Sequence, residues 1–370
     1  MLKGHKVLKN HSYLVLRLTT EEGPMVCKIT HQNNAKLERE VTRIIALREN
    51  YPLMGELLAE VLGQGVIATG LHKNKLYFLQ EFIEGPTLGQ TLRSSDVESG
   101  EAAQLVSSIT SKLMDVVEEH TFDPTIEGRS GRWMSEHLDA AYQRLQGLKY
   151  VNYLASLNEV MINGRARRSL PWCLRELSKT KIFQKLDAGP SIISGLGHWN
   201  FHSENIVLID WPRSHTIRVF DPDVNIDACD PMFGIARLLY SLPHDTIEDG
   251  QYEIESDVFT PNAANVNSFD IRFIWPPQVM ENYRSLLNGI TTEIPFQPES
   301  LDQRFADPIF AARLELCLLL CLLRGVAANF EHGFWPLKGS LRTFRNNGIF
   351  LFLNVLNFAN GAVERLKKYD

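Results

Sequence analysis

Four short stretches of the chain carry residue types whose chemistry is unusual for their surroundings. Lys28 lies in VCKI, an otherwise apolar strand-like run, where a lysine must snorkel to solvent or meet an anion. Glu40, in EREV, sits on the helix-patterned segment that follows and can hold such a lysine in place. Residues 195–210 read GLGHWNFHSENIVLID and set Asn200 and Asn205 just before a buried strand. VFDPDV then ends a returning strand on Asp221, with Asp223 two residues on. Singly, each has an ordinary structural explanation: a surface lysine, a solvated helix glutamate, a turn-capping asparagine, a strand-end aspartate. In this order they are the parts that phosphoryl transfer from a magnesium nucleotide needs. A lysine neutralises phosphates, a glutamate orients it, and an Asn amide oxygen with an Asp carboxylate offers hard oxygen ligands to magnesium.

A metal site of another kind is the competing reading of the same loop. His198 and His202 stand at i, i+4, the spacing of the helical zinc motif His-Glu-x-x-His. The residue after His198 is Trp199, so the general base of that motif is absent, and the segment runs from Gly195 and Gly197 into a strand rather than along a helix. No third ligand stands at a recognisable distance. The histidines read as loop braces held by hydrogen bonds.

The elements that must position these residues divide the chain in two. SYLVLRLTT and PMVCKIT, joined by Glu21, Glu22 and Gly23, predict a hairpin. NAKLEREVTRIIALREN carries Leu37, Val41, Ile44, Ile45 and Leu47 near helical spacing. Turn chemistry is expected around Gly63 and Gly65, followed by a strand in KLYFLQEFI. This predicts an α+β lobe over 1–85, a small antiparallel sheet with one helix, ending near Gly85 and Pro86. From Thr87 the pattern is mainly helical, so 86–370 is expected to be a larger helical lobe. Its exception is a second hairpin, NIVLID and TIRVFD around WPRSH. TPNAANVNS (260–268) reads as a loop or insertion, and two or three further helices follow Phe305.

Composition narrows the class. The 370 residues are 44% hydrophobic and 22% charged with a formal net charge of −6, the balance of a soluble globular protein without a basic field for nucleic acid. NGRARRSL, with Arg165, Arg167 and Arg168, reads as a solvated helix edge or loop. The five cysteines have no framework spacing, and MLKGHKVLKNH lacks the apolar core of a secretory signal, so reduced thiols and a cytoplasmic location are expected. AARLELCLLLCLLRGVA is interrupted by Arg313, Glu315 and Arg324, and is too short between charges to span a membrane. It predicts a buried helix with Cys317 and Cys321 as small core residues.

On these motifs the chain resembles the aminoglycoside phosphotransferase and choline kinase family, whose fold is two-lobed and protein-kinase-like. That family's catalytic loop typically reads His-Gly-Asp-x-His-x-x-Asn, and HWNFHSENIVL supplies His198, His202 and Asn205 at matching places. FDPDVNIDACDPMFGIARLL resembles the family's next motif, with Asp221, Asp223, Asp230 and Pro231. VCKI and EREV resemble the strand lysine and helix glutamate, and QEFIEGPTL the hinge between lobes. The resemblance implies a small-molecule kinase using ATP and Mg2+. Lys28 would contact the phosphates with Glu40 as its partner, and the backbone of Glu81, Phe82 and Ile83 would meet adenine. Asn205, Asp221 and Asp223 would face the metal, and Asp230 would brace the catalytic loop. KNHSY would be the phosphate-covering turn, through Asn10 and Ser12.

The pattern breaks where the family places its catalytic aspartate. Asn200 stands there, and Trp199 replaces the usual glycine. An amide can orient a hydroxyl but cannot accept its proton, and such general-base help is commonly worth ~10²–10⁴-fold. Three readings follow: an Asp→Asn change made to trap a complex, a natural nucleotide-binding pseudokinase acting as scaffold or regulator, or an active enzyme using another base such as His202 or Glu204, or substrate-assisted transfer. Intact magnesium ligands favour a kinase lineage over a pure scaffold. The acceptor is expected to be a hydroxylated small molecule such as an amino-sugar, antibiotic or other metabolite. Glu136, Asp139 and Glu331 are candidates for a cationic one, and Trp133, Trp275, Phe330, Phe334 and Trp335 for pocket walls or simple packing. The stretch 241–277 is long enough to shape specificity. No nucleic-acid or membrane partner is expected, and the sequence leaves the oligomeric state open.

Overall fold

The computed structural model describes residues 2–10, 13–30, 34–67, 75–94, 96–121, 129–148, 157–188, 193–223, 226, 228–244, 252–255, 268–273, 298–332 and 341–369. Its N-terminal part is a five-stranded sheet in the order β1-β2-β3-β5-β4, antiparallel throughout. The strands are β1 (Leu2–Asn10), β2 (Tyr13–Thr20), β3 (Gly23–Thr30), β4 (Val61–Ile67) and β5 (Lys75–Glu81). Helix α1 (Asn34–Asn50) lies between β3 and β4 in the chain, followed by the short α2 (Pro52–Leu57). Leu37, Val41, Ile44 and Leu47 fall along the buried side of α1, as their spacing predicts. Leu37 and Val41 pack with Tyr13 and Phe78 into a small core of their own.

Two expectations in this part are corrected. Gly63 and Gly65 lie inside strand β4, not in a turn. At Gly65 the strand needs a glycine because a Cβ there would lie 2.8 Å from the Tyr77 ring across the ladder. Leu2–Asn10, read only for its lack of a signal peptide, is an edge strand. Lys3, His5, Lys6, Val7 and Leu8 are all exposed, so no apolar face exists for a period to report.

The rest is mainly helical: α3 (Leu88–Leu92), α4 (Ser99–Thr121), α5 (Ser130–Gln146), α6 (Leu170–Lys179), α7 (Ile182–Ala188), α8 (Met232–His244), α9 (Pro308–His332) and α10 (Leu341–Leu366). They share one continuous apolar core, to which Cys173, Cys229, Cys317 and Cys321 contribute as buried side chains. No helix among the described residues is long and apolar enough to cross a membrane.

The basic run RARR is strand β7 (Arg165–Arg168), which corrects the expected helix edge or loop. It joins β6 (Glu159–Ile162), β10 (Tyr252–Glu255) and β11 (Ser268–Phe273) in a four-stranded sheet of order β10-β11-β6-β7. The β6–β7 turn is Asn163-Gly164, both at positive φ (49° and 73°), the two-residue hairpin signature. The long stretch 241–277 thus supplies two strands, while most of TPNAANVNS lies outside the described residues.

The predicted hairpin of β8 (Ile206–Ile209) and β9 (Thr216–Val219) sits where the two parts meet. Val219 bridges to Leu58 and Val207 to Thr87, and Leu208 N donates to Pro86 O at 3.0 Å. Gly85 (φ +150°) is required at this crossing, because a Cβ there would lie 2.1 Å from the Leu208 carbonyl oxygen.

One ion pair ties α9 to the segment before α8. Arg313 binds Asp230 through two nitrogens, at 2.7 and 3.2 Å, with side chains 2% and 0% exposed. Ser130 Oγ and the Met232 amide also donate to the Asp230 carboxylate. Removing one member strands the other charge in the core, so Asp230→Ala or Arg313→Ala is expected to cost about 3–5 kcal/mol. Urea denaturation checks this, and replacing both residues by apolar ones should cost less than either single change.

Candidate active site

Lys28 occupies the centre of the sheet, registered between Val15 of β2 and Phe78 of β5, and its side chain is buried. Its ammonium binds Glu40 of α1, also buried, and Asp221 Oδ1 at 3.1 Å. Burial alone would lower the lysine's pKa, but attraction to Glu40 and then to Asp221 overrides it, and the net direction is upward. Burial pushes the Glu40 carboxyl above its ordinary range against the opposing pull of Lys28. Two carboxylates around one buried ammonium hold Lys28 charged, and the Asp221 side chain remains 43% exposed toward the cleft.

The loop 198–205 is organised by backbone hydrogen bonds. His198 Nε2–H donates to Phe220 O at 3.1 Å, and its Nδ1 accepts from the Asn200 amide at 3.3 Å. Both nitrogens are therefore engaged in the neutral tautomer, and burial pushes the imidazole pKa down to about 4. His198 braces the loop and has no lone pair left for a metal. His202 caps the turn Ser203–Asn205, its Nδ1 accepting from the Glu204 amide at 3.0 Å. Asn200 Nδ2 donates to the Asp221 carbonyl at 2.9 Å, and Asn205 Nδ2 to the Asn200 carbonyl at 3.3 Å.

Trp199, where the resemblance calls for glycine, has φ +56°. The backbone keeps the left-handed conformation that glycine adopts freely. The indole offsets its strain by burial to 2% exposure, 5.5 Å from the His120 ring. Gly197 makes the room, since a Cβ there would lie 2.0 Å from the indole.

A cavity of about 580 Å3 lies between the sheet and the helical part. Lys28, Asn205 and Asp221 line one end, and Glu81, Phe82 and Ile83 with Gly85 and Thr87 line another. Val15, Val26, Ala59, Val207 and Phe220 supply apolar walls suited to a planar ring. The Arg17 guanidinium lies 4.2 Å over the Phe82 ring, and the Glu81 carboxylate binds Arg218, so the segment after β5 is braced by two side chains. The Asn205 amide oxygen and the Asp221 carboxylate form a donor set of hard oxygens, which fits magnesium.

Not every expected residue joins this cavity. Asn200 and Asp223 are outside its lining. Asp223 contributes its backbone, donating N–H to His198 O at 2.9 Å and accepting from Arg43 of α1. Asp230, expected to brace the catalytic loop, instead binds Ser130, Arg313 and the Met232 amide; its link to the loop region passes through the neighbouring Cys229–Ser194 backbone pair. Ser12 and the Asn10 side chain lie outside the described residues, and Leu8 lines the cavity from β1. Glu136 is exposed and pairs with Arg132 at 2.8 Å, and Asp139 is exposed on the same helix, so neither lines the cavity. Trp133 packs half-buried with Nε1 donating to Ala228 O at 3.2 Å. Trp275, Phe334, Trp335 and the Glu331 side chain lie outside the described residues.

Glu204 and Thr87 were missed as wall residues. Glu204 accepts from Thr87 Oγ1 at 2.7 Å and binds Arg93, while Thr87 and Gln90 form the reciprocal cap of α3. The T-x-x-Q pattern of that cap is the sequence signal that could have marked Thr87 as a helix start.

The neutral, buried His198 predicts a pH dependence of stability. Its folded pKa, about 4, lies below the ordinary 6.5, so the unfolded chain binds the extra proton first as pH falls. This contribution is complete above about 6.5 and is lost progressively as pH falls to about 4, on the order of 3 kcal/mol in all. Urea denaturation across that window should show a shallower slope in His198→Gln than in the parent.

No protein-family model and no curated protein sequence matches the chain. Among solved structures it is similar to Plasmodium vivax ethanolamine kinase, with TM-score 0.45, 8% identity and coverage of 95% of this chain and 82% of that one. It is similar to a microcompartment-associated aminopropanol kinase at TM-score 0.38 and 15% identity, covering 99% and 92%. The third is spectinomycin phosphotransferase APH(9)-Ia, solved with ADP and spectinomycin, at TM-score 0.42 and 9% identity, covering 98% and 94%. By name, these neighbours are two kinases and a phosphotransferase.

Proposed function

We propose that the chain is a small-molecule phosphotransferase using Mg-ATP, with residues 1–85 as the nucleotide lobe and 86–370 carrying the catalytic loop and the acceptor site. The observation that carries this reading is the buried Lys28–Glu40–Asp221 cluster, opening into the cavity that the hinge residues Glu81 to Ile83 and Asn205 also line. Lys28 binds phosphate oxygens, and Glu40 fixes the direction of its ammonium. The backbone of Glu81 to Ile83 meets the adenine edge between the apolar walls. Asn205 Oδ1 and the Asp221 carboxylate hold the magnesium, which supplies neutralising charge to the phosphates. Asn200 orients the acceptor by its amide and takes no proton from it.

A second reading, a nucleotide-binding pseudokinase with a scaffolding or regulatory role, is favoured by one observation. The Asn200 amide is committed to the Asp221 carbonyl, and no carboxylate stands at that position.

Titration calorimetry with Mg-ATP and ADP release over an acceptor panel test both. The parent should bind Mg-ATP, Lys28→Ala should lose that affinity or turn over ~10²-fold more slowly or worse, and Asp221→Ala should lose the magnesium dependence of binding. Equal Mg-ATP affinity in the parent and both variants would sink the assignment of the cleft. Binding without turnover on any acceptor would favour the pseudokinase.

A further inference from the structure

Among the described residues, two buried polar side-chain atoms belong to residues that line the nucleotide cavity and have no hydrogen-bond partner: Tyr13 Oη and Gln80 Nε2. Tyr13 stands near the Lys28 cluster, one inward-facing row away on the sheet, and Lys36 lies 5.4 Å over its ring. A hydroxyl in that company suits any phosphorylated compound and distinguishes none of them. Gln80 is the more informative of the two. It is 2% exposed, and an amide closed off from water with its NH2 unpaired is unfavourable.

The sheet fixes where that amide sits. Lys28 is registered with Phe78 and Val26 with Gln80, so all four side chains point to one face, the face that carries the cavity. Gln80 stands one step of about 7 Å along the strands from the Lys28 row. Strand β5 ends one residue later at Glu81, and Phe82 and Ile83 continue the cavity wall. The amide therefore lies between the cation expected to meet the phosphates and the segment expected to meet the base.

The other polar side chains at that end already have partners. Glu81 binds Arg218 and the Glu60 amide, Glu204 binds Arg93 and Thr87, and Thr87 and Gln90 cap α3 together. Gln80 alone brings a buried unpaired donor there. An amide is donor and acceptor on adjacent atoms. The edge of adenine that carries N7 and N6 is acceptor and donor at matching spacing, so the two form a bidentate pair. Guanine presents N7 and O6, both acceptors, on that edge, and the amide oxygen would then oppose O6. Rotation about the last side-chain bond exchanges the ends of the amide, so either can be turned to the ring. The pair leaves N1 and the second N6 hydrogen of adenine for the backbone of the 81–83 segment.

We propose that Gln80 reads the N7/N6 edge of adenine and makes the cleft select ATP over GTP. This rests on the reading of the cleft as a nucleotide site and adds the feature that decides which nucleotide it takes. Gln80 Nε2–H donates to N7, and Oε1 accepts from the N6 amino group. Adenine thereby supplies the partner that the buried amide lacks in the free protein. In a site closed to water the mismatch with guanine is not relieved by solvent, so one residue discriminates more strongly than it would on an open surface.

The test is titration calorimetry of the full chain with the magnesium complexes of ATP, GTP and 7-deaza-ATP, which has a C–H group in place of N7. The parent should bind ATP roughly fivefold to a hundredfold more tightly than either of the others. Gln80→Leu removes the amide and keeps a side chain of similar size. It should bind ATP and 7-deaza-ATP alike, at the weaker affinity, and its preference for ATP over GTP should narrow. Without nucleotide, its resistance to urea should equal or exceed the parent's, because an unpaired buried amide has been removed. Equal affinity of the parent for ATP and 7-deaza-ATP would overturn the proposal, and so would the absence of a preference for ATP over GTP. A preference for ATP over 7-deaza-ATP that persists in Gln80→Leu would overturn it as well. The 7-deaza comparison in the parent needs no variant, so it decides the matter even where Gln80→Leu fails to fold. If none of the three nucleotides binds, the nucleotide reading of the cleft itself falls, and the proposal with it.

Discussion

A single ammonium joins three separate parts of this molecule. Lys28 comes from the middle of the sheet, Glu40 from the helix laid across it, and Asp221 from the end of a hairpin almost two hundred residues away. Neither Lys28 nor Glu40 would be stable as an isolated charge at its depth. Each is tolerated because the other is there, and the partly exposed Asp221 completes the balance at the edge of the cleft. The position of α1 and the conformation of the 221–223 segment are therefore linked electrostatically, and Arg43 adds a second tie from the same helix to the Asp223 carbonyl.

The cleft gets its shape from a different interaction. The β8–β9 hairpin touches the N-terminal side through Leu58 and the helical side through Thr87. Asn205 before its first strand and Phe220 and Asp221 after its second lie together at its open end, carried on a piece of backbone that both parts share. His198 fastens the loop to this hairpin by one ring nitrogen and to its own chain by the other. Of the polar groups that face the cavity, Asn205 is held by backbone, whereas Lys28 and Asp221 hold one another.

Much of this was legible in the sequence because chemistry and periodicity coincided there. A lysine in an apolar strand, a glutamate on the next amphipathic helix, and an aspartate ending a returning strand announce themselves by misfit with their neighbours. The β8–β9 hairpin followed from turn residues between apolar runs. What escaped had no such contrast. Strand β1 is exposed along its described side chains and is held by its backbone ladder alone, so its side chains encode no face. Gly63 and Gly65 resembled a turn because the reason for Gly65, the Tyr77 ring, comes from another strand. RARR looked like a solvated edge because three arginines in four residues hide a strand's alternation, although the Asn-Gly before it was a readable hairpin signal. The partners of Asp230 lie a hundred residues before it and about eighty after it in the chain, a distance over which no local pattern speaks.

Trp199 shows how a departure from an expected residue can leave the backbone unchanged. Glycine reaches the left-handed conformation without strain, and tryptophan reaches it by anchoring its ring against His120. A side chain of middling size offers neither the conformational freedom of the first nor the buried surface of the second. Alanine or valine at this position would keep the strain without the burial that offsets it. In a chain carrying the tryptophan, Gly197 and Trp199 depend on each other: any side chain at 197 would occupy the space the indole fills.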